Sequence, residues 1–250
     1  MEINTSNVKQ ALNDQREQLF NEGASGQFSE VQVSRERVAQ LRGIMFDIDM
    51  RMLNASPLIT EPAVAPADFY HRDVQNWLGR NPVLSKAEVR CSGQGLHVIL
   101  RFDKPVEFRT DGDRDRWDGI VKVVQAALPV DPDAPSITAT TRPIGSTNSK
   151  NGATVTLLTP GSQVSQEEVL SLYEAMKDAP FETVLGILAG PGEIKPCPFC
   201  QGAGTKVNPG RSVGFCYDAC GKIFMPTLYE VLLSPRHVGD QEGAGHDQSL

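Results

Sequence analysis

Two groups of residues in this chain have the types and spacing for chemistry. The first is Asp47-Ile48-Asp49, which closes the apolar run Gly43-Ile44-Met45-Phe46. A short apolar run of this kind reads as a buried strand. Strand side chains alternate faces, so Asp47 and Asp49 share one face and Ile48 turns into the core. Two neighbouring carboxylates repel each other and are expensive to desolvate without a counter-charge. A divalent cation supplies that charge, and paired aspartates are a hard-oxygen seat for Mg²⁺ or Mn²⁺. Taken alone, the pair fits equally well a strand running out into water with both acids hydrated. The second group is Cys197, Cys200, Cys216 and Cys220, two short pairs about fifteen residues apart. Four thiolates so spaced fit a tetrahedral structural Zn²⁺. The three-residue gap inside the second pair departs from the two-residue gap usual in zinc knuckles. The fifth cysteine, Cys91, reads as a small buried residue.

These groups need a scaffold, and 250 residues are enough for one large domain or for one medium domain plus a small one. With 40% hydrophobic and 22% charged residues the chain has a globular composition. No apolar run approaches the roughly 18 residues that span a bilayer, and Met1 to Asn7 lack the pattern of a signal peptide. The expectation is a cytoplasmic protein without a membrane partner, in which clustered cysteines bind metal rather than form disulfides. A net charge of −7 provides no global basic field, so any nucleic-acid contact must use a local patch.

In chain order, the pattern predicts a polar segment over 1–36, the aspartate strand ending at 49, a proline-rich loop over 54–67 and a helix carrying Tyr70, Val74, Trp77 and Leu78. A hairpin follows, with strands 88–91 and 96–102 around Ser92-Gly93-Gln94-Gly95. A charged loop over 110–116 then precedes a helix striped by Trp117, Ile120, Val121, Val124 and Leu128. Strands are expected at 138–141 and 153–158, on either side of a loop from Pro143 to Gly152. Ser165 and Glu168 form a capping box opening a helix with Val169, Leu172, Tyr173 and Met176. Residues 189–196 read as a linker, 197–234 as the cysteine module and 235–250 as a disordered tail.

Four features stand in order: Phe46-Asp-Ile-Asp49, Ser92-Gly-Gln-Gly-Leu-His97, Val130-Asp-Pro-Asp133 and Arg142-Pro-Ile-Gly-Ser-Thr-Asn148-Ser-Lys150. Together they resemble the archaeo-eukaryotic primase superfamily, in particular its plasmid and phage primase-polymerases, over about residues 40–158. The cysteine stretch resembles the zinc ribbon attached to bacterial primases. The resemblance implies an α/β (α+β) fold, a mixed-sheet catalytic core with an RRM-like half over 37–188, followed by the ribbon. It implies nucleotidyl transfer, with Asp47, Asp49 and Asp131 holding two Mg²⁺ or Mn²⁺ ions; Asp133 is the alternative third acid. Ser92, Gly93, Gly95, His97, Arg142, Asn148 and Lys150 would face the nucleotide, His97 as a donor to phosphate. Asn148 also suits a turn of its own, and Arg142 and Lys150 also suit solvated loop charge. Many members have a small hydroxyl residue where this chain has Gly95, which would open the backbone to a phosphate.

The implied activity is that of a DNA primase, a DNA polymerase or both, acting on nucleoside triphosphates and single-stranded DNA. Contact with the template would run through backbone charge and stacking, with Phe199, Phe215 and Tyr217 as stacking residues on the ribbon. A replicative helicase would be a separate chain, or was lost by truncation, because no helicase motif is present. Two rival readings are a non-catalytic single-strand-binding module and a metal-dependent nuclease or other transferase with an Asp-x-Asp.

Overall fold

The apolar-polar alternation of residues 43–49 becomes strand β1, Gln40–Asp49. The computed structural model describes residues 34–50, 65–131, 133–202 and 204–232. The expected tail, almost all of the polar N-terminal segment and most of the proline-rich loop lie outside the described residues. Strands β2, Glu88–Cys91, and β3, Gly95–Glu107, form the expected hairpin. β3 runs five residues beyond the predicted end because Val106 still buries a side chain. β1 and β2 flank β3 as antiparallel neighbours, and β2 also pairs with β4, Thr156–Thr159. The short β5, Gln163–Val164, adds a parallel pair on β3, so the sheet is mixed.

The two faces of this sheet differ. Ile44, Phe46 and Ile48 lie opposite Leu100, Val98 and Leu96, and Val89 lies opposite Val98. All are fully buried in the main core. Helices α2, Asp111–Gln125, and α3, Gln166–Asp178, pack on the sheet and on each other. Phe102 meets Trp117 edge to face at 5.7 Å. On the opposite face, Met45, Ile99 and Ala139 form a separate small cluster beside the polar residues of the candidate site.

The helices largely follow their local signals. Helix α1 is built from three consecutive segments, Pro66–Phe69, a wide turn over Tyr70–Val74, and Gln75–Gly79. It buries the four predicted residues. Ser165 and Glu168 form the capping box of α3. The charged stretch 110–116 is not a loop. It is the start of α2, where Thr110 caps the helix and the Asp113 carboxylate returns to the Thr110 amide at 2.9 Å. Acids at a helix N-terminus are stabilised by the unpaired amides there. Helix α4, Pro180–Leu188, was not foreseen; it buries Phe181, Val184, Leu185, Ile187 and Leu188.

Two predicted strands change. Residues 138–141 form no strand; Pro135 and Pro143 bracket the span, and Ile137 and Ala139 are buried without joining a ladder. The strand predicted at 153–158 starts at Thr156, because Asn148 and Ala153 instead close the preceding loop on itself, N to O at 2.7 Å.

The cysteine module is a three-stranded antiparallel sheet: β6, Val207–Asn208; β7, Gly214–Cys216; and β8, Gly221–Ile223. Helix α5, Met225–Leu232, follows. The module packs on the main body. The Phe181 ring of α4 fills the space where a side chain at Gly214 would stand, and the Phe181 amide donates to the Arg211 carbonyl at 3.1 Å. Cys197, Val207, Cys216, Ile223 and Leu228 belong to the same core cluster as Phe181. The fold is α/β with a mixed sheet, as expected. No described helix is long and apolar enough to cross a membrane.

Candidate active site and metal centre

Strand register assembles the site. Asp47 on β1 lies opposite His97 on β3, and His97 lies opposite Arg90 on β2. These three side chains therefore form a row across neighbouring strands, on the face away from the main core. His97 Nε2 stands 3.9 Å from Asp47 Oδ1. His97 Nδ1 is 3.0 Å from the Thr141 hydroxyl. Asp49 is one step along the same face, opposite Gly95.

The third acid arrives by a backbone bond. The Asp131 amide donates to the Asp47 carbonyl at 2.9 Å. Gln125 steadies this junction, donating from Nε2 to the carbonyls of Met45 at 2.8 Å and Pro135 at 3.1 Å. Asp131 Oδ1 accepts the Asp133 amide at 2.9 Å, which shapes the turn. Of the two alternative acids, Asp131 is the one whose charge acts on Asp47; Asp133 is exposed.

Burial pushes the Asp47 carboxyl up to about 6, and the charges of Asp49 and Asp131 push the same way. Arg142 and Lys150 oppose this. Burial also drives His97 down to about 4, with help from Arg142 and Arg90. His97 is therefore neutral at pH 7, and one ring nitrogen carries a proton. The Thr141 hydroxyl can donate to Nδ1 or accept from it; the tautomer in which it donates carries the ring proton on Nε2, the nitrogen nearer Asp47.

The remaining predicted residues divide by what they touch. Ser92 closes the hairpin, its amide on the Gly95 carbonyl at 2.9 Å and its hydroxyl on the same oxygen at 3.3 Å. Gly93 has φ +101°, the left-handed backbone that favours glycine there. A Cβ at Gly95 would lie 2.5 Å from the Ile48 carbonyl oxygen. The missing side chain at 95 thus lets β1 and β3 approach. Asn148 is buried; its Nδ2 donates to the Ser92 carbonyl at 2.7 Å and its Oδ1 accepts the Lys150 amide at 3.0 Å. It ties the 142–150 loop to the hairpin. Arg142 is half-buried and Lys150 exposed, both close enough for their charge to act on Asp47.

Sequence reasoning passed over Glu88, Arg90 and Thr141. Glu88 and Arg90 were visible as two charges alternating with Val89 in a strand whose partner is apolar. Thr141 carried no local signal, because its contact with His97 crosses 44 residues.

The four cysteines converge. Their sulfurs all lie within 4.8 Å of one another, with Cys197 to Cys220 at 3.9 Å and Cys200 to Cys216 at 3.8 Å. A tetrahedron with zinc–sulfur bonds of about 2.3 Å has edges of about 3.8 Å, so this group could hold zinc. Backbone amides supply the surroundings. The Gly202 amide holds the Cys200 thiol down at about 6, and those of Cys220 and Asp218 lower Cys216. Burial raises Cys197 and pushes Cys220 up to about 12. Among the described residues, these cysteines are the group of three or more metal-binding side chains that closes this tightly. Phe199, expected as a stacking residue, packs against the main core. Phe215 and Tyr217 stack at 6.4 Å, and Tyr217 is 75% exposed.

No family model matches the sequence, and no curated protein matches it. Among solved structures, the chain is similar to the primase-polymerase domain of cyanophage S-2L, described as an AEP domain. The match has 14% identity and a TM-score of 0.38, and covers 56% of this chain. The chain spans 64% of that domain's length.

Proposed function

We propose that this chain is a template-directed nucleotidyltransferase, joining nucleoside triphosphates on single-stranded DNA as a primase, a polymerase or both. The observation that carries the reading is the row Asp47–His97–Arg90, with Asp49 beside it and the Asp131 amide bonded to the Asp47 carbonyl. Asp47, on which the charges of Asp49 and Asp131 act, thus stands beside a neutral histidine and within reach of the charge of two loop cations. The carboxylates fit a divalent cation by chemistry, since burial and then its acidic neighbours disfavour the charged form of Asp47, which gains from a positive charge.

Asp47, Asp49 and Asp131 would hold Mg²⁺ or Mn²⁺, and two such ions stabilise the attacking and leaving oxygens of an in-line displacement at the α-phosphate. His97 would donate its Nε2 proton to a phosphate oxygen, a charge-assisted bond. Arg142 and Lys150 would neutralise the triphosphate. Ser92, Gly93 and Asn148 would act through the shape of the hairpin and loop rather than by touching the nucleotide. In the cysteine module, taken as a ribbon over 197–234 after a linker, zinc would supply structure. Its exposed Tyr217 offers a stacking surface for a single strand.

The test is primer synthesis on unprimed single-stranded DNA with Mn²⁺, supplying labelled deoxynucleotides, ribonucleotides and a sugar nucleotide in parallel. Template-dependent products from either nucleotide are expected. Strand binding without incorporation would leave the chain a non-catalytic binding module. Incorporation of the sugar nucleotide, or cleavage of the strand, would replace the reading with a different metal-dependent chemistry.

A further inference from the structure

Glu88 and Arg90 sit on the site face of β2 at 7% and 8% exposure. Charges so deeply buried persist only when paired and hydrogen-bonded. Arg90 Nε donates to Glu88 Oε1, and the other Glu88 oxygen accepts from Arg101 of β3. The Arg90 guanidinium has a further bond: Nη1 donates to the backbone carbonyl of Arg142 at 2.7 Å. Its planar fork therefore joins a carboxylate on its own strand to a loop 52 residues away.

This bond lies at one end of the 142–150 loop. Pro143 follows Arg142 and restricts it to extended backbone, so fixing the carbonyl also fixes the direction in which the side chain leaves the backbone. At the other end, Asn148 Nδ2 bonds the Ser92 carbonyl. The β2–β3 hairpin thus grips the loop twice, through Arg90 and through Ser92. Between these points, the Arg142 charge reaches both Asp47 and His97.

We propose that Arg90, braced by Glu88, is a positioning residue that aims Arg142 at the triphosphate of the bound nucleotide. This rests on the nucleotidyltransferase reading. Arg90 is buried behind the loop and acts through it; a lysine retains the charge but lacks the planar fork whose separate Nε and Nη1 bond Glu88 and the Arg142 carbonyl.

The experiment is calorimetric binding of deoxyadenosine triphosphate with Mg²⁺ to the full chain, for wild type, Arg142→Ala, Arg90→Lys and the double variant. Arg142→Ala is expected to weaken binding about tenfold or more. Arg90→Lys should approach the same loss, and the double variant should be within about twofold of Arg142→Ala, because both changes remove one interaction. In incorporation assays Arg90→Lys should raise KM while kcat stays within about threefold; a merely structural defect lowers kcat and leaves KM unchanged. Glu88→Gln is the second variant should Arg90→Lys fold poorly, with an expected loss of at least about threefold. Wild-type affinity in Arg90→Lys or Glu88→Gln, or losses that multiply in the double variant, would overturn the proposal and leave the nucleotide site standing. No binding by wild type would overturn that site and the proposal with it.

Discussion

Asp47 and His97 face each other across the β1–β3 ladder, with Oδ1 and Nε2 3.9 Å apart. That spacing is too long for a direct hydrogen bond. It leaves an acid held up by burial and a histidine held neutral by burial side by side, each able to turn to a group lying beside the pair.

The acids oppose the fold when no cation is present. Asp47 titrates at about 6 in the folded chain against an ordinary 3.8. Between those values the folded state binds the extra proton, so metal-free stability falls as pH rises through about 4 to 6 and stays lowered above. The Asp47→Asn, Asp49→Asn double variant should melt at or above the wild-type temperature at pH 7 in chelator, and should incorporate no nucleotide. Primer extension near the wild-type rate would remove these residues from the chemistry.

His97 has the opposite sign. Its folded value of about 4 lies below the ordinary 6.5, so the unfolded chain binds the proton first. The His97 contribution to stability should fall as pH drops from about 6.5 to about 4, against the opposite contribution of Asp47 between about 6 and 4. Melting temperatures of wild type and His97→Gln across that range check this: relative to wild type, the variant should lose less stability, or gain more, as pH falls, because only the Asp47 contribution remains. Parallel curves would mean that His97 titrates alike in the folded and unfolded chain.

The Thr141 hydroxyl is the hydrogen-bond partner of His97 Nδ1. Thr141→Val removes the Nδ1 partner without changing side-chain size, and should weaken triphosphate binding by about 0.5–1.5 kcal/mol, with Thr141→Ser restoring most of it. Unchanged binding in the valine variant would mean that the hydroxyl does not govern which nitrogen faces outward.

Metal analysis should find about one zinc per chain, and Cys197→Ala or Cys216→Ala should abolish it, since zinc binding and folding of such modules are one equilibrium. Primer synthesis should fall more than extension of a supplied primer. The Phe181 ring against Gly214 adds a consequence: the main melting transition should also shift downward. An unshifted transition would mean that the module folds independently of that contact.

Local rules made part of this protein legible. Strand alternation placed Asp47 and Asp49 on one face with Ile48 beneath, and ligand spacing singled out Cys197, Cys200, Cys216 and Cys220, because each pattern closes within a few residues. The capping box at Ser165 and the stripe of α2 were readable for the same reason. The charged start of α2 was misread because its cap, Thr110, satisfies amides that a list of charges does not reveal. What tertiary structure alone decided are the contacts that cross strands and loops: Asp131 on Asp47, Thr141 on His97, and Arg90 on Arg142. Each depends on β-sheet register and on the path of a long connection, and a one-residue slip in β2 or β3 would turn Arg90 or His97 into the core.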